Sequence, residues 1–190
     1  MSKLFPRFSL GAFRRDQSGV AVVEFVLVAP VVAMVLVGLM DVGTVLYVRF
    51  QLDSSVNAAA NYAMVNASNV SSANGAALAN NLAAVVSSAE GSNWANSSVA
   101  VNDGPSASST GGTTSSSGTA SGADSCYCPS GTAPAIAWGS AQTCGAPCPS
   151  GGYAGKFVLL TATKRYSPII SGYGFVSAGT ITSTSMVQVQ

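Results

Sequence analysis

Four cysteines carry the most evident chemistry of the sequence, because one residue separates Cys126 from Cys128 and three separate Cys144 from Cys148. Thiols at this spacing can form two disulfides, hold zinc through four thiolates, or act as a redox-active pair. A bridge between cysteines separated by one residue is strained, so we expect bridges between the two clusters, across Trp138. The spacing alone does not choose between the inter-cluster pairings.

Glu24 is the second residue of unusual chemistry, because residues 20–48 contain only one other charged residue, Asp41. A carboxylate inside a membrane costs free energy unless it is paired. Cleavage after Gly19 would create an α-amine on Val20, and this cation could pair with Glu24 of the same chain or of a neighbouring helix. Glycine suits a cleavage site because a residue without a Cβ lets a peptidase draw the backbone into an extended form. If the chain is processed between Gly19 and Val20, the spacing of Glu24 from the new N-terminus has a physical reason.

Residues 20–48 are the element that must position Glu24. As a helix they would span roughly 43 Å at 1.5 Å per residue, which exceeds a hydrocarbon core of about 30 Å. The preceding residues 1–19 contain four basic residues and one acid: Lys3, Arg7, Arg14, Arg15 and Asp16. The positive-inside tendency places this segment in the cytoplasm. We expect a single pass through a membrane, in contact with membrane lipid, with the C-terminal domain on the outer side.

Two other kinds of N-terminal segment compete with this interpretation. A secretory signal peptide is disfavoured, because the apolar run is too long and no small-x-small cleavage site follows it. An uncleaved signal anchor stays open. The four cysteines lie past the membrane crossing, and an oxidising compartment favours disulfides over zinc or free thiols.

The anchor helix has three further features. Pro30 removes a backbone donor in the middle of the anchor and predicts a local kink. Asp41 falls near the outer interface, where we expect it to be solvated. An amphipathic continuation is predicted to end near residue 65, with apolar residues at three- and four-residue spacing: Val45, Val48, Leu52, Val56, Ala59 and Ala63.

The remaining chain predicts a small head of α+β class. A polar run breaks the first helix, and residues 66–103 should hold a second helix, at 76–89, and a strand, at 94–101. Residues 104–152 are an insertion whose Ser-, Gly- and Thr-rich part, 104–125, predicts a flexible loop, because its side chains are too small to offset their ordering entropy. Residues 153–190 should supply strands at 156–166 and 180–190. We expect an antiparallel sheet of three or four strands packed on the long helix.

The N-terminal sequence resembles a known family. A basic leader, Gly19, then Val20-Ala21-Val22-Val23-Glu24-Phe25 is similar to the type IVb prepilin signal, and the stretches 17–30 and 38–43 resemble the opening of TadE-like proteins. The resemblance implies a pilin-like fold and cleavage after Gly19 by a prepilin peptidase. It implies a bacterial inner membrane, with the C-terminal domain periplasmic or extracellular. It also implies that Glu24 and Phe25 take part in assembly, and that the partners are other pilins and Tad pilus assembly components.

Several classes of function are disfavoured by the composition. The chain has no histidine, no G-x-S-x-G motif and no phosphate-binding glycine loop, so we expect neither an enzyme nor a cofactor or metal site. A formal net charge of +1 without a basic stripe argues against nucleic acid. The leading hypothesis is a minor pilin or pseudopilin acting in type IVb pilus assembly, adhesion and surface attachment. The alternative is a static surface binding protein with an uncleaved anchor; a TadG-like protein is disfavoured by the chain length.

Overall fold

The computed structural model describes residues 18–169 and 179–190, so residues 1–17 of the predicted leader and the connector 170–178 lie outside the described residues. The first described element is one helix, α1, spanning Ser18–Val65. Pro30 lies inside α1, and the helix is continuous through this position. The kink at Pro30 stays a prediction.

The second half of α1 belongs to the core of the head. Leu52, Val56, Ala59 and Ala63 are buried at the predicted three- and four-residue spacing. A short 3-10 helix, Ala67–Asn69, precedes α2, Gly75–Ser87, which packs against α1. Alanine is frequent on both facing surfaces, and its small side chain lets two helices approach closely. The buried residues of α2 are Gly75, Leu78, Ala79, Leu82, Ala83, Val86 and Ser87.

An antiparallel sheet of five strands covers one side of the two helices. Its strands are β1 Asn96–Val101, β2 Ser106–Thr110, β3 Thr113–Ser117, β6 Phe157–Tyr166 and β7 Gly179–Gln188. Their order is β3-β2-β1-β6-β7, with α1 over β6 and β7 and α2 over β1 and β2. A separate small hairpin pairs β4, Ser130–Thr132, with β5, Ala135–Ala137. The α+β class is confirmed, with five strands where the sequence predicts three or four.

The additional strands, β2 and β3, lie where the sequence predicts a flexible loop. That prediction was wrong because it weighed only the size of the side chains. Gly111 and Gly112 take positive φ values of 55° and 84°, which a two-residue hairpin turn uses. Ala107 and Ser109 are buried beneath α2. Two serine pairs join the strands through hydroxyls 2.8 Å apart: Ser106 with Ser117, and Ser108 with Ser115.

Strand β6 runs antiparallel to α1 and defines two ends of the head. Lys156, just before β6, donates from Nζ to the carbonyl of Val70, 3.0 Å away. Tyr166, the last residue of β6, reaches Asp41, which lies 24 residues before the end of α1 at Val65. We call the Tyr166 end the base of the head and the Lys156 end the tip. The exposed first half of α1 projects beyond the base.

Asn102 organises the tip. It has a φ of 58° and is almost fully buried, and asparagine tolerates this left-handed backbone better than most residues. Its amide nitrogen donates to the carbonyls of Gly122 and Ser125, at 3.1 and 2.5 Å. Its Oδ1 accepts from the N–H of Phe157 at 3.3 Å. One side chain therefore ties the end of β1 to the start of β6 and to the chain that leads into the cysteine segment.

Candidate functional site

The first half of α1 is an apolar rod that the rest of the described chain leaves uncovered. The helix is long and apolar enough to cross a membrane, and none of its most apolar stretch is buried within the chain. Large side chains such as Val20, Phe25 and Leu39 are each more than 60% exposed. The helix indicates anchoring in a membrane.

The predicted processing and assembly residues lie on the first two turns of this rod. Gly19 and Val20 are helical, and Glu24 and Phe25 are exposed. At 1.5 Å per residue Glu24 lies about 6 Å along the axis from Val20. A Cβ built on Gly19 would meet no atom within 4 Å, so the packing of the described chain gives no reason for glycine at this position.

Asp41 has a different environment from the one the sequence predicts. It is only 5% exposed, although we expected a solvated carboxylate at the outer interface. Its Oδ1 accepts from the hydroxyl of Tyr166 at 2.9 Å and from the N–H of Ile169 at 3.0 Å. The prediction was wrong because it considered the helix alone, whereas the base of the head folds back over this residue.

The contact between Asp41 and Tyr166 also changes the tyrosine. Burial, together with the hydrogen bond to the neighbouring carboxylate, raises the pKa of Tyr166 above its usual value of 10.0. A neutral hydroxyl is the form that can donate to Asp41. The sequence contains a signal for this pair. An acid within an apolar run needs a partner, and Tyr166 is an aromatic residue at the end of the predicted strand that precedes Pro168.

Two further polar contacts of the head were missed by sequence reasoning. Asp53 on α1 accepts a hydrogen bond from the hydroxyl of Ser183 on β7. Lys164 on β6 donates to the carbonyl of Trp94 at 2.9 Å and lies 4.2 Å from the centre of its indole ring. Burial lowers the pKa of Lys164. The first contact attaches β7 to α1, and the second attaches β6 to the chain that leads into β1.

The four cysteines form two disulfides at the tip, as predicted. Cys126 is bonded to Cys144 and Cys128 to Cys148, so both bridges join the two clusters. Tyr127, between the first two cysteines, packs edge-to-face on Trp138 with ring centres 6.2 Å apart. Backbone hydrogen bonds between Tyr127 and Gly155 connect this segment to the start of β6. The bridges hold a segment of small side chains that has little apolar core of its own.

The described residues supply little that could perform catalysis. Within residues 18–169 and 179–190 there is no group of three or more His, Cys, Asp or Glu side chains that could hold a metal ion. Glu24 and Asp41, the acids in the apolar first half of α1, are 17 residues apart; Glu24 is exposed and Asp41 is covered by Tyr166. What the arrangement can do is insert an apolar helix and present one carboxylate near its start.

Comparison with known proteins finds similarity in the same helix, α1. The sequence model of the family described as TadE-like protein matches residues 19–61. The match begins at Gly19 and ends within α1, so it includes Glu24 and Asp41 and leaves out the sheet. No curated protein and no solved structure matched the chain. The predicted TadE-like resemblance is confirmed over the anchor helix, and it indicates a Tad pilus-associated protein.

Proposed function

We propose that this chain, whose anchor helix carries the TadE-like signature, is a minor pilin or pseudopilin of a Tad type IVb pilus system. The observation that carries the proposal is the division of one continuous helix, α1. Its second half is core of the head, whereas its first half is exposed, apolar and long enough to enter a membrane or a helical filament. Other pilins and Tad assembly components are the partners that such a helix would contact.

The local structure of the helix supports the proposal of processing after Gly19. Because Gly19 packs against no other part of the described chain, we assign it a role in cleavage of the peptide bond and not in packing. Glycine is less favourable than alanine in a helix by about 1 kcal/mol, which eases unwinding of the first turn. We propose that a prepilin peptidase extends this turn and cleaves between Gly19 and Val20.

Assembly would then depend on Glu24. The mature chain begins with the α-amine of Val20, and a neighbouring helix shifted along the axis can bring that cation to the exposed carboxylate of Glu24. A buried polar contact of this kind sets the register between helices, because any other alignment leaves a charge unpaired in an apolar environment. Phe25 is 70% exposed on the next position and would pack on the same neighbour.

The topology proposed for the chain places residues 1–19 in the cytoplasm and the head outside. The two disulfides support this orientation, because such bridges persist in oxidising compartments. The described residues of the head, 66–169 and 179–190, include no group of His, Cys, Asp or Glu suited to holding a metal, and we propose that the protein is neither an enzyme nor a nucleic-acid binder. Its contribution is structural, in assembling a pilus used for adhesion and surface attachment.

A second candidate function is a static surface binding protein with an uncleaved anchor. The exposed segment at the tip favours it, since Tyr153 lies there with 67% of its surface exposed. This alternative keeps residues 1–19 attached to the mature protein. The N-terminus of the mature chain therefore separates the two functions.

The deciding experiment is N-terminal sequencing and intact-mass measurement of the protein purified from its native membrane. The expected sequence begins VAVVEF, and no thiol should be free without reduction. Gly19→Val should leave the leader attached, because a branched side chain obstructs the peptidase. Gly38→Val is the matched control, since a Cβ at Gly38 also meets no atom within 4 Å. A native chain that begins at Met1 would reject the pilin proposal in favour of the anchored binding protein.

A further inference from the structure

Covering Asp41 removes the last exposed charge from a long stretch of α1. Between Glu24 and Arg49 the only ionisable side chains are Asp41 and the phenol of Tyr47. Because Asp41 is 5% exposed beneath Tyr166, the surface that residues 25–48 offer to their surroundings carries no exposed carboxylate or cation. The apolar surface of the helix therefore continues past Asp41 and is longer than the distance from Glu24 to Asp41.

The length of this surface decides where the head lies. Residues 25–48 span about 36 Å as a helix, against about 30 Å for a hydrocarbon core. If the core begins at Phe25, it ends near Val45, four residues beyond Asp41. Asp41 then lies about 6 Å below the outer boundary, where a bare carboxylate would be costly. The hydroxyl of Tyr166 and the N–H of Ile169 supply its hydrogen bonds at that depth.

The residues around this boundary have the chemistry of a membrane interface. Ile169 is 66% exposed at the base of the head, and Tyr47 and Phe50 are exposed on α1. Arg49 and Arg165 are exposed at the same end of the molecule. Aromatic rings favour the headgroup level, and arginine extends its charge toward phosphates while its stem stays in apolar surroundings. We call these five residues the basal rim.

We propose that the basal rim is a lipid-binding surface that seats the head in the phospholipid headgroup layer of the outer leaflet. This proposal rests on the topology given under the proposed function. The Asp41 contact fixes the head to the helix at one height, so inserting the helix also lowers Ile169 to about the depth of Asp41, at the inner edge of the interface. The lipid phosphates then neutralise Arg49 and Arg165.

Charge favours lipid over a second copy of the chain as the occupant of the rim. Two identical rims brought together would place their arginines near each other, and the carboxylate at this end, Asp41, is already covered. An anionic headgroup layer has the complementary charge. A second copy is therefore treated as an outcome that the experiment can detect.

The test measures membrane depth at two matched positions. Ile169→Cys and Tyr153→Cys replace side chains of nearly equal exposure, 66% and 67%, at the base and at the tip. Each full-length protein, with both native disulfides intact, receives a nitroxide label and is placed in vesicles of phosphatidylcholine and phosphatidylglycerol. The accessibility of the label to oxygen and to a water-soluble nickel chelate is then measured. The oxygen-to-nickel ratio should be several-fold higher at position 169 than at 153.

Two outcomes would overturn the proposal. Equal ratios at 169 and 153 would show that the head stands clear of the lipid. Protection of position 169 only at a high protein-to-lipid ratio would assign the rim to a second copy. A label at Val26→Cys tests the membrane topology itself. If that label is also exposed to water, the proposed membrane anchor is wrong. If the label at 26 is buried in lipid and the label at 169 is in water, only the lipid-binding role of the basal rim is rejected.

Discussion

The two halves of α1 place residues of the same type in opposite environments. Leu36, in the first half, is 52% exposed, whereas Leu52, in the second half, is fully buried against the head. The acids differ in the same way, since Glu24 is exposed and Asp41 is covered by the chain's own Tyr166. The hydrophobicity of a single leucine therefore does not show whether it belongs to an anchor or to a core. The difference lies in whether the partner belongs to the same chain or to its surroundings.

The largest effect that would test this comparison is expected at Glu24. Glu24→Ala should leave export, membrane insertion and cleavage intact, because removal of a costly carboxylate eases insertion. It should abolish assembly, since the Val20 amine of a neighbour loses its partner. The measurements are blotting of the membrane-bound mature protein and co-purification with other pilus components.

Glu24→Gln separates charge from shape in the same assay. It keeps the size and polarity of the side chain, so an assembly defect as severe as that of Glu24→Ala indicates that the charge is required. Normal assembly of Glu24→Ala would defeat the pairing mechanism even where cleavage after Gly19 is found.

The second effect concerns the apolar residues of the two halves. Leu52→Ala should lower the free energy of unfolding of the head by about 2–5 kcal/mol, because it opens a cavity in a packed core. Leu36→Ala is the matched control and should leave this quantity unchanged. Both can be measured by chemical denaturation in detergent micelles, followed by the near-ultraviolet signal of the head. Equal losses for the two variants would contradict the division of the helix.

A smaller effect is expected where the two halves meet. Tyr166→Phe removes the hydroxyl donor to Asp41 and should lower the thermal midpoint of the head by on the order of 5 °C. Tyr153→Phe, at an exposed site of the tip, should change it little.

The pH dependence of folding stability is a second way to test the contact with Tyr166→Phe. The folded pKa of Tyr166 is raised, so its contribution to stability is complete below the unfolded value near 10 and is lost as the pH rises through the folded value. The stability of the wild-type protein should therefore fall more steeply in this alkaline range than that of Tyr166→Phe, which has no phenol to ionise at position 166. An identical alkaline profile in both proteins would contradict the covered Asp41 contact.

The smallest effect lies at the tip, far from the helix junction. Hydrogen bonding to the side chain of Ser72, together with the hydrogen bond from its N–H, lowers the pKa of Asp124 below its ordinary 3.8. Its contribution is present above the unfolded pKa and is lost as the pH falls through the lower folded pKa. Asp124→Asn should remove a slight acid-range dependence of the thermal midpoint without affecting membrane insertion. An unchanged acid profile would show that this bond adds nothing to stability.

Much of the architecture could be predicted from local patterns. The three- and four-residue spacing of Leu52, Val56 and Ala59 indicated the buried face of α1, and alternating residues indicated β7. The strain of a bridge between nearby cysteines was enough to predict that the bridges join the two clusters. These features depend on neighbours in the sequence or on steric limits of a few residues.

The parts that were missed depend on distant partners. Asp41 and Tyr166 are 125 residues apart, so no periodicity connects them. The hairpin β2–β3 depends on the backbone ladder, a glycine turn and burial beneath α2, and none of these appears in a count of large side chains. The cleavage site and the role of Glu24 involve a peptidase and a neighbouring helix, and remain predictions.

The alignment of β6 and β7 with α1 has a mechanical consequence. A pull on the anchor travels along the helix axis, parallel to the interface that α1 forms with these two strands. The load is then shared by contacts along the length of the interface, from Asp41 beneath Tyr166 to Asp53 beside Ser183. Contacts loaded in shear must give way together, whereas contacts that are peeled apart fail one after another. The head is thus attached to its anchor in the geometry that best resists a pull along the helix axis.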